Sequence, residues 1–128
     1  MPTVLLTGVG RRRGIAAGIA VGLARAGWDL ALSCWQPYDS RLGLEGSADD
    51  PARLADELRR EGGRVVLVPG DLEDPEVPDQ VAARAAEELG LLDALVMSHT
   101  ESVDSGVLDT TVESFDRHYA VNIRATWL

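Results

Sequence analysis

The chain has 128 residues, of which 45% are hydrophobic and 26% charged, enough for the core of one compact domain and too few for two. Its formal net charge of −9 excludes nonspecific nucleic-acid binding, which needs a basic surface to meet the phosphates. With one cysteine, Cys34, and no apolar run near the roughly 20 residues of a membrane span, we expect no disulfide, no metal site and a cytoplasmic protein without a membrane partner.

The first strand and helix are predicted from a change of periodicity. Residues 3–7 form an apolar run rich in β-branched side chains, which is typical of a strand buried on both faces. Ile15 and Ile19 then recur at helical spacing, and Gly27 provides a stop for the helix. A glycine-rich turn over 8–14 joins the two elements.

Three further strands are predicted over 29–34, 65–68 and 92–97, each an apolar run of strand length. Helices are expected between them, so that strand and helix alternate along the chain. Strands that are apolar throughout indicate a parallel sheet with helices on both faces.

Capping signals locate the remaining helices. Asp50 and Asp74 each precede a proline, which is the arrangement of a helix start. A final amphipathic helix is predicted from Thr111 to the last residue, 128. Residues 35–50 are predicted to form a long loop, because proline and glycine interrupt both periodicities there.

The glycine-rich turn is a candidate nucleotide site. A glycine at a strand exit permits a tight turn, and glycines near a helix start let the backbone approach a pyrophosphate. The alternative is that the glycines serve only the backbone turn. The residues predicted to contact a nucleotide here are Thr7, Gly8, Gly10, Arg11, Arg12, Arg13, Gly14 and Ile15.

Thr7-Gly8 followed by Gly14-Ile15 resembles the T-G-x-x-x-G-I-G fingerprint of the short-chain dehydrogenase/reductase family. Five residues instead of three separate the two glycines, and Ala16 replaces the last one. This spacing is similar to that of bacterial enoyl-acyl carrier protein reductases and of some 3-ketoacyl reductases. The resemblance implies the N-terminal part of a Rossmann-type, doubly wound α/β fold, with about four strands and four helices, as one NAD(P)-binding domain over 1–128.

The expected cofactor is NADP, with NAD as the alternative. NAD-selective relatives carry an acidic residue at the end of the second strand, a position that falls at Ser33 or Cys34 here, and neither is acidic. A carboxylate there would repel a 2′-phosphate, and its absence together with Arg13 beside Gly14 favours NADP. The other interpretation of the three arginines is a solvated loop surface.

The resemblance also assigns residues after the third and fourth strands. Asp71 and Leu72 match family residues that contact the adenine ring, although Asp71 is equally well explained as a loop cap. The segment from Asp93 resembles D-x-L-V-N-N-A-G, with Ser98, His99 and Thr100 in cofactor-lining positions. A hydrogen-bonded structural role for His99 is favoured over one as general base.

Asn122 matches the asparagine that completes the family's catalytic tetrad and is the one catalytic residue assigned to this chain. A mid-helix asparagine on an inward face costs helix propensity and desolvation, so we expect it to have a backbone or water partner. Without the resemblance, a structural amide explains it as well.

The remaining catalytic residues of the family, a Tyr-x-x-x-Lys pair, are missing. The chain has no lysine, and its only tyrosines are Tyr38 and Tyr119. The first hypothesis is therefore a truncated carbonyl reductase of the 3-ketoacyl type, acting on a small carbonyl or acyl substrate and forming a homo-oligomer at full length. The second is a catalytically silent nucleotide-binding or dimerisation module. A flavodoxin-like or receiver-type domain is a third, against which the glycine-rich turn counts.

Overall fold

A computed structural model describes residues 1–44 and 46–128. Its four strands are β1 (Thr3–Leu6), β2 (Asp29–Leu32), β3 (Val65–Leu67) and β4 (Ala94–Val96). All neighbouring strands are parallel, in the order β3-β2-β1-β4. This is the order of a classic Rossmann sheet and not of a flavodoxin-like one, in which β1 lies between β2 and β3. The predicted doubly wound α/β fold is confirmed.

Helices connect these strands and follow the last one. They are α1 (Ile15–Arg25), α2 (Gln36–Arg41), α3 (Asp50–Arg59), α4 (Val77–Leu89), α5 (Val112–Tyr119) and α6 (Ala125–Trp127), with a π-helical turn over Ala120–Arg124. In the described part of the chain, none of these helices combines the length and the apolar character needed to cross a membrane.

The core has two layers because successive side chains of a strand point to opposite faces of the sheet. Val4 and Leu6 of β1 pack on one face with α1 and α3. Leu5, between them in sequence, packs on the other face with Val81 and Ala85 of α4. The apolar-throughout pattern of the first strand thus follows from helices on both sides.

Two predictions about local structure are wrong. The loop predicted over 35–50 contains α2, since proline is tolerated in the first turn of a helix and Pro37 lies there; Glu45 of that loop lies outside the described residues. The final helix is not one continuous α-helix, because the π-helical turn at Ala120–Arg124 interrupts it. The hydrogen-bonding register therefore shifts at the turn that carries Asn122.

The strands are shorter than predicted, and burial decreases from the centre of the sheet towards β4. All residues of β1 and β2 are buried, whereas Leu95 in β4 is about half exposed. Within the described residues β4 pairs only with β1. The prediction that every strand is buried on both faces is thus wrong for β4, which is an edge strand here.

An ion pair between the buried Asp29 carboxylate and the largely exposed Arg64 guanidinium joins the start of β2 to β3 and α4. The Asp29 side chain is nearly inaccessible and accepts hydrogen bonds from the backbone N–H and the Nε of Arg64, both at 2.8 Å. The same guanidinium donates to the Leu89 carbonyl at the end of α4. Burial acts to raise the pKa of Asp29, but the hydrogen bonds and charge of Arg64 outweigh it and hold that pKa below the usual value.

Candidate nucleotide-binding site

A cavity of about 450 Å³ lies at the edge of the sheet where the strands end. Its walls come from the segments that follow all four strands. In open parallel sheets, ligands bind outside the carboxyl ends of the strands, at the point where the strand order reverses. Here that point lies between β1 and β4, because β2 and β3 lie on one side of β1 in the sheet and β4 lies on the other.

Gly8 closes the cavity at the exit of β1. Its φ of +79° lies in the left-handed region that favours glycine, and a Cβ at this position would collide with the backbone carbonyl of Ser98. The turn therefore passes directly against the segment after β4. Only a residue without a side chain allows this approach, and Gly8 itself lines the cavity.

The N-terminus of α1 is open to an anion. Gly14 occupies the capping position in an extended conformation, no side chain caps the helix, and its first turn contains no acidic residue. The first N–H groups of a helix and its dipole together favour negative charge. With the glycine turn beside it, this terminus fits a dinucleotide pyrophosphate.

The three arginines of the turn have different surroundings. Arg11 lines the cavity, with its Nε 4.0 Å from the Asp39 carboxylate. Arg12 forms an ion pair with Glu57 of α3. Arg13 is exposed and does not line the cavity. The structure thus brings one arginine, and not the predicted Arg13, to the site.

The wall after β2 is polar and uncharged at its base. Ser33, a predicted cofactor contact, is 1% exposed and lines the cavity. Burial raises the pKa of the neighbouring Cys34 thiol, and the charge of Asp39 raises it further. Burial also raises the pKa of Asp39, against the opposing charge of Arg11. Asp39 of α2 thus adds a carboxylate to this wall of the cavity.

The segment after β3 contributes Asp71 and Leu72 to the opposite wall. Asp71 also accepts a hydrogen bond from the backbone N–H of Glu73 at 3.0 Å, which is the arrangement of a loop cap. Both interpretations of this residue are therefore compatible with its position.

His99 is held by hydrogen bonds at both ring nitrogens. Nε2 lies 3.0 Å from the Val121 carbonyl, which can only accept, so Nε2 carries the proton. Nδ1 then accepts from the Thr7 hydroxyl at 2.7 Å, and the Thr7 oxygen accepts from the backbone N–H of Ser98. Burial lowers the pKa of His99, and the bond to Val121 only partly offsets this. The ring is a neutral cross-link between β1, the segment after β4 and the π-helical turn.

Asn122 has the backbone partner that its position predicted. Its Oδ1 accepts from the Glu101 N–H and its Nδ2 donates to the Glu101 carbonyl, both at 2.8 Å. The residue as a whole is exposed, so the expected inward face is wrong. Because the amide is anchored to the segment after β4, it orients that wall and does not itself line the cavity.

Most of the predicted cofactor residues meet at the cavity, and several do not. The lining includes Gly8, Gly10, Arg11, Ser33, Asp71, Leu72, Ser98, His99 and Thr100. Outside it are Thr7, Arg12, Arg13, Gly14, Ile15 and Asn122; of these, Thr7 acts through His99, and Ile15 is 82% exposed.

Sequence analysis did not assign the wall formed by α2 and by Glu101. Tyr38, Asp39 and Arg41 of α2 all line the cavity. The available signal was Gln36-Pro37, which is compatible with a helix start as well as with a loop. Glu101 carried no signal in the sequence, because its 3% exposure depends on the whole arrangement of segments.

Comparisons with known proteins agree with this geometry. A family model described as Enoyl-(Acyl carrier protein) reductase matches residues 8–128. The short-chain dehydrogenase/reductase eriH of Hericium erinaceus is 31% identical over 119 residues, covering 93% of this chain and 44% of the relative. The chain therefore spans less than half the length of the curated relatives it matches.

Solved structures show the same likeness. A dehydrogenase/reductase from Sinorhizobium meliloti 1021 has a TM-score of 0.80 and 33% identity, over 98% of this chain and 45% of that one. An alcohol dehydrogenase from Thermococcus sibiricus, complexed with 5-hydroxy-NADP, has a TM-score of 0.82 and 26% identity, over 99% and 49%. From its glycine-rich turn, its strand order and these relatives, the chain belongs to the short-chain dehydrogenase/reductase family.

Proposed function

We propose that this chain is the NADP-binding domain, over residues 1–128, of an oxidoreductase that transfers hydride between NADPH and a carbonyl or alcohol substrate of the 3-ketoacyl type. The observation that carries the proposal is the cavity between the glycine-rich turn and the segments after β2, β3 and β4, with the uncapped start of α1 following that turn. When bound, the nicotinamide ring supplies or accepts the hydride.

The residues of this chain bind and orient the dinucleotide. Backbone N–H groups in the first turn of α1, which no side chain caps, receive the pyrophosphate. His99 and Asn122 hold the wall after β4 in place through their hydrogen bonds. Asn122 thereby contributes to catalysis as a positioning residue, in line with the family's use of the matching asparagine.

NADP is favoured over NAD by the charges beside the end of β2. Ser33 has no charge to repel a 2′-phosphate, and Arg11 offers a guanidinium at the cavity wall. Asp39 acts in the opposite direction, so NAD remains the alternative. A curated relative at 29% identity is named L-rhamnose 1-dehydrogenase (NAD(P)(+)), which supports either nucleotide.

The proton-transfer chemistry has to come from residues outside this chain. The family's Tyr-x-x-x-Lys pair has no counterpart, since the chain has no lysine four residues after Tyr38 or Tyr119, or anywhere else. We therefore propose that the 128 residues alone reduce no carbonyl, and that the complete enzyme is a cytoplasmic homo-oligomer.

The second candidate is a catalytically silent nucleotide-binding or dimerisation module. It is favoured by the missing lysine together with the exposed apolar side chains of α5. The mass of the native product distinguishes the two candidates, because a mature protein of 13.7 kDa would support the silent module and a larger one the reductase.

The cofactor proposal is tested by titrating the purified protein with NADPH and NADH. We expect tighter binding of NADPH, and a roughly tenfold loss of NADPH affinity in Arg11→Gln with little change for NADH, because a charge-assisted hydrogen bond is lost. Arg53→Gln, an exposed α3 arginine outside the cavity, is the matched control. Equal affinity for both nucleotides would contradict the NADP proposal, and no binding of either would contradict the function.

A further inference from the structure

One side of α2 rests on the glycine-rich turn. Gln36 Nε2 donates a 2.9 Å hydrogen bond to the Gly10 carbonyl, and a Cβ on Gly10 would collide with the Asp39 carboxylate. Arg11 faces the same carboxylate. The turn that fits the pyrophosphate is therefore covered by α2.

The other side of α2 is attached to the segment after β4. Arg41 Nη2 donates to both carboxylate oxygens of Glu101, at 2.9 and 2.7 Å. The Ser102 N–H donates to the Tyr38 hydroxyl at 3.2 Å. The Arg41 guanidinium lies over the Tyr38 ring, 5.5 Å from its centroid. Tyr38 and Arg41, three positions apart in α2, thus contact two consecutive residues of the far wall.

The strand order makes this attachment a bridge across the cavity. α2 follows β2, whereas Glu101 follows β4, and β1 lies between these two strands in the sheet. A connection from one to the other has to pass over the exit of β1, where the glycine-rich turn begins. The Arg41–Glu101 ion pair therefore spans the mouth of the cavity.

The two ends of the ion pair are held differently. The Glu101 side chain is 3% exposed, and Asn122 fixes its backbone through two hydrogen bonds. The Arg41 side chain is 40% exposed, and none of the six residues of α2 is buried. α2 is consequently held by polar contacts and not by the core, which is the property of a segment that opens locally at low cost.

We propose that α2 is a lid over the nucleotide cleft and that the Arg41–Glu101 ion pair is its latch, which opens to admit and to release the dinucleotide. This inference rests on the proposed nucleotide-binding function. It assigns Arg41 and Glu101 a role in the rates of binding, separate from direct contact with the ligand.

Stopped-flow measurements of NADPH association and dissociation test the latch. In Arg41→Gln we expect both rate constants to rise by roughly tenfold, while Kd changes much less, because removing a gate speeds passage in both directions. Glu101→Gln should have the same effect, and the double variant should add little to either single variant. Arg53→Gln, an exposed arginine paired with Asp49, should leave both rates unchanged.

Hydrogen exchange in the free protein supplies a readout that needs no ligand. Backbone amides of residues 36–44 should exchange faster in Arg41→Gln than in the wild type, while those of β1 and β2 keep their protection. In Arg41→Lys, which retains the charge, these amides should exchange at rates between those of the wild type and of Arg41→Gln. A graded response of this kind distinguishes loss of the ion pair from misfolding.

The outcomes separate the two proposals. If the wild type binds neither nucleotide, the proposed function fails and the lid fails with it. If the nucleotide binds but both rates and the exchange of 36–44 are unaltered in Arg41→Gln, the lid alone is overturned. A faster dissociation with unchanged association would also overturn it, since Arg41 would then be an ordinary ligand contact.

Discussion

At the scale of single residues, backbone conformation and protonation decide what the site can do. Gly8 and His99 are the clearest cases, because each connects the exit of β1 to the segment after β4. The glycine is needed for its missing Cβ, and the histidine for its neutral ring with one donating and one accepting nitrogen.

Gly8→Ala is expected to abolish nucleotide binding and to destabilise the protein by about 1–3 kcal/mol, because the added Cβ meets the Ser98 carbonyl and a non-glycine residue is strained at positive φ. Gly18→Ala in α1 is the matched control, since no atom outside its own helix lies within 4 Å of the new Cβ. It should stabilise the helix by up to about 1 kcal/mol. Equal effects of the two substitutions on urea unfolding would contradict this account.

The neutral state of His99 makes stability depend on pH. Burial holds the pKa of His99 in the folded protein below the usual 6.5. The contribution of the neutral ring to the free energy of unfolding is therefore complete above pH 6.5 and is lost as the pH falls through the folded pKa. His99→Phe should therefore cost about 1–2 kcal/mol at pH 8, and less as the solution is acidified. Urea midpoints between pH 8 and pH 5 measure the difference, and a constant difference would rule out the titration.

At the scale of elements, contacts distant in sequence modify what periodicity predicts. α1, α3 and α4 follow from amphipathic spacing. The predicted caps are wrong, because Asp49 and Glu76, and not Asp50 and Asp74, occupy the capping positions of α3 and α4, and neither makes a side-chain capping hydrogen bond. α2 has no buried residue and therefore no apolar stripe to reveal it. The π-helical turn at Ala120–Arg124 could not be predicted either, because the change from α-helical to π-helical hydrogen bonding is not visible in the residue types.

The Asp29–Arg64 pair joins β2, β3 and α4, and we expect Asp29→Asn to cost about 2 kcal/mol near pH 7 through lost charge-assisted hydrogen bonds. The lowered pKa of Asp29 means that its contribution is present above the usual value of 3.8 and is lost as the pH falls through the folded pKa. The penalty of Asp29→Asn should thus shrink in acid, as measured by urea unfolding.

The control is Asp56→Asn, which removes an exposed ion pair with Arg59 and should change the free energy of unfolding little at any pH. A pH-independent penalty at Asp29 would contradict the assignment.

At the scale of the whole molecule, one side of the sheet differs from the other. β1 and β2 are covered on both faces, while Leu95 and Met97 at β4 and the side chains of Phe115, Tyr119 and Ile123 are about half or more exposed. Several large apolar side chains exposed on β4 and the last helical segment are typical of an interface with other protein.

The 128 residues, expressed alone, should therefore associate in a concentration-dependent manner. Phe115→Arg combined with Ile123→Arg is expected to shift the population towards monomer, because charges are costly to bury in such an interface. Sedimentation velocity measures the change, with Val107→Arg, an exposed position in the loop before α5, as the control. A monomer at all concentrations would contradict the prediction.

The sequence by itself determined the fold class and the glycine-rich turn, because hydrophobic periodicity and glycine positions are local properties that act through short-range geometry. It also determined, by composition, that no lysine is present. Only the tertiary structure decided which arginine reaches the cavity, that Asn122 anchors Glu101, and that α2 covers the turn. These features depend on which segments the parallel strands bring together at one edge of the sheet, where hydrogen bonds join residues between 21 and 92 positions apart.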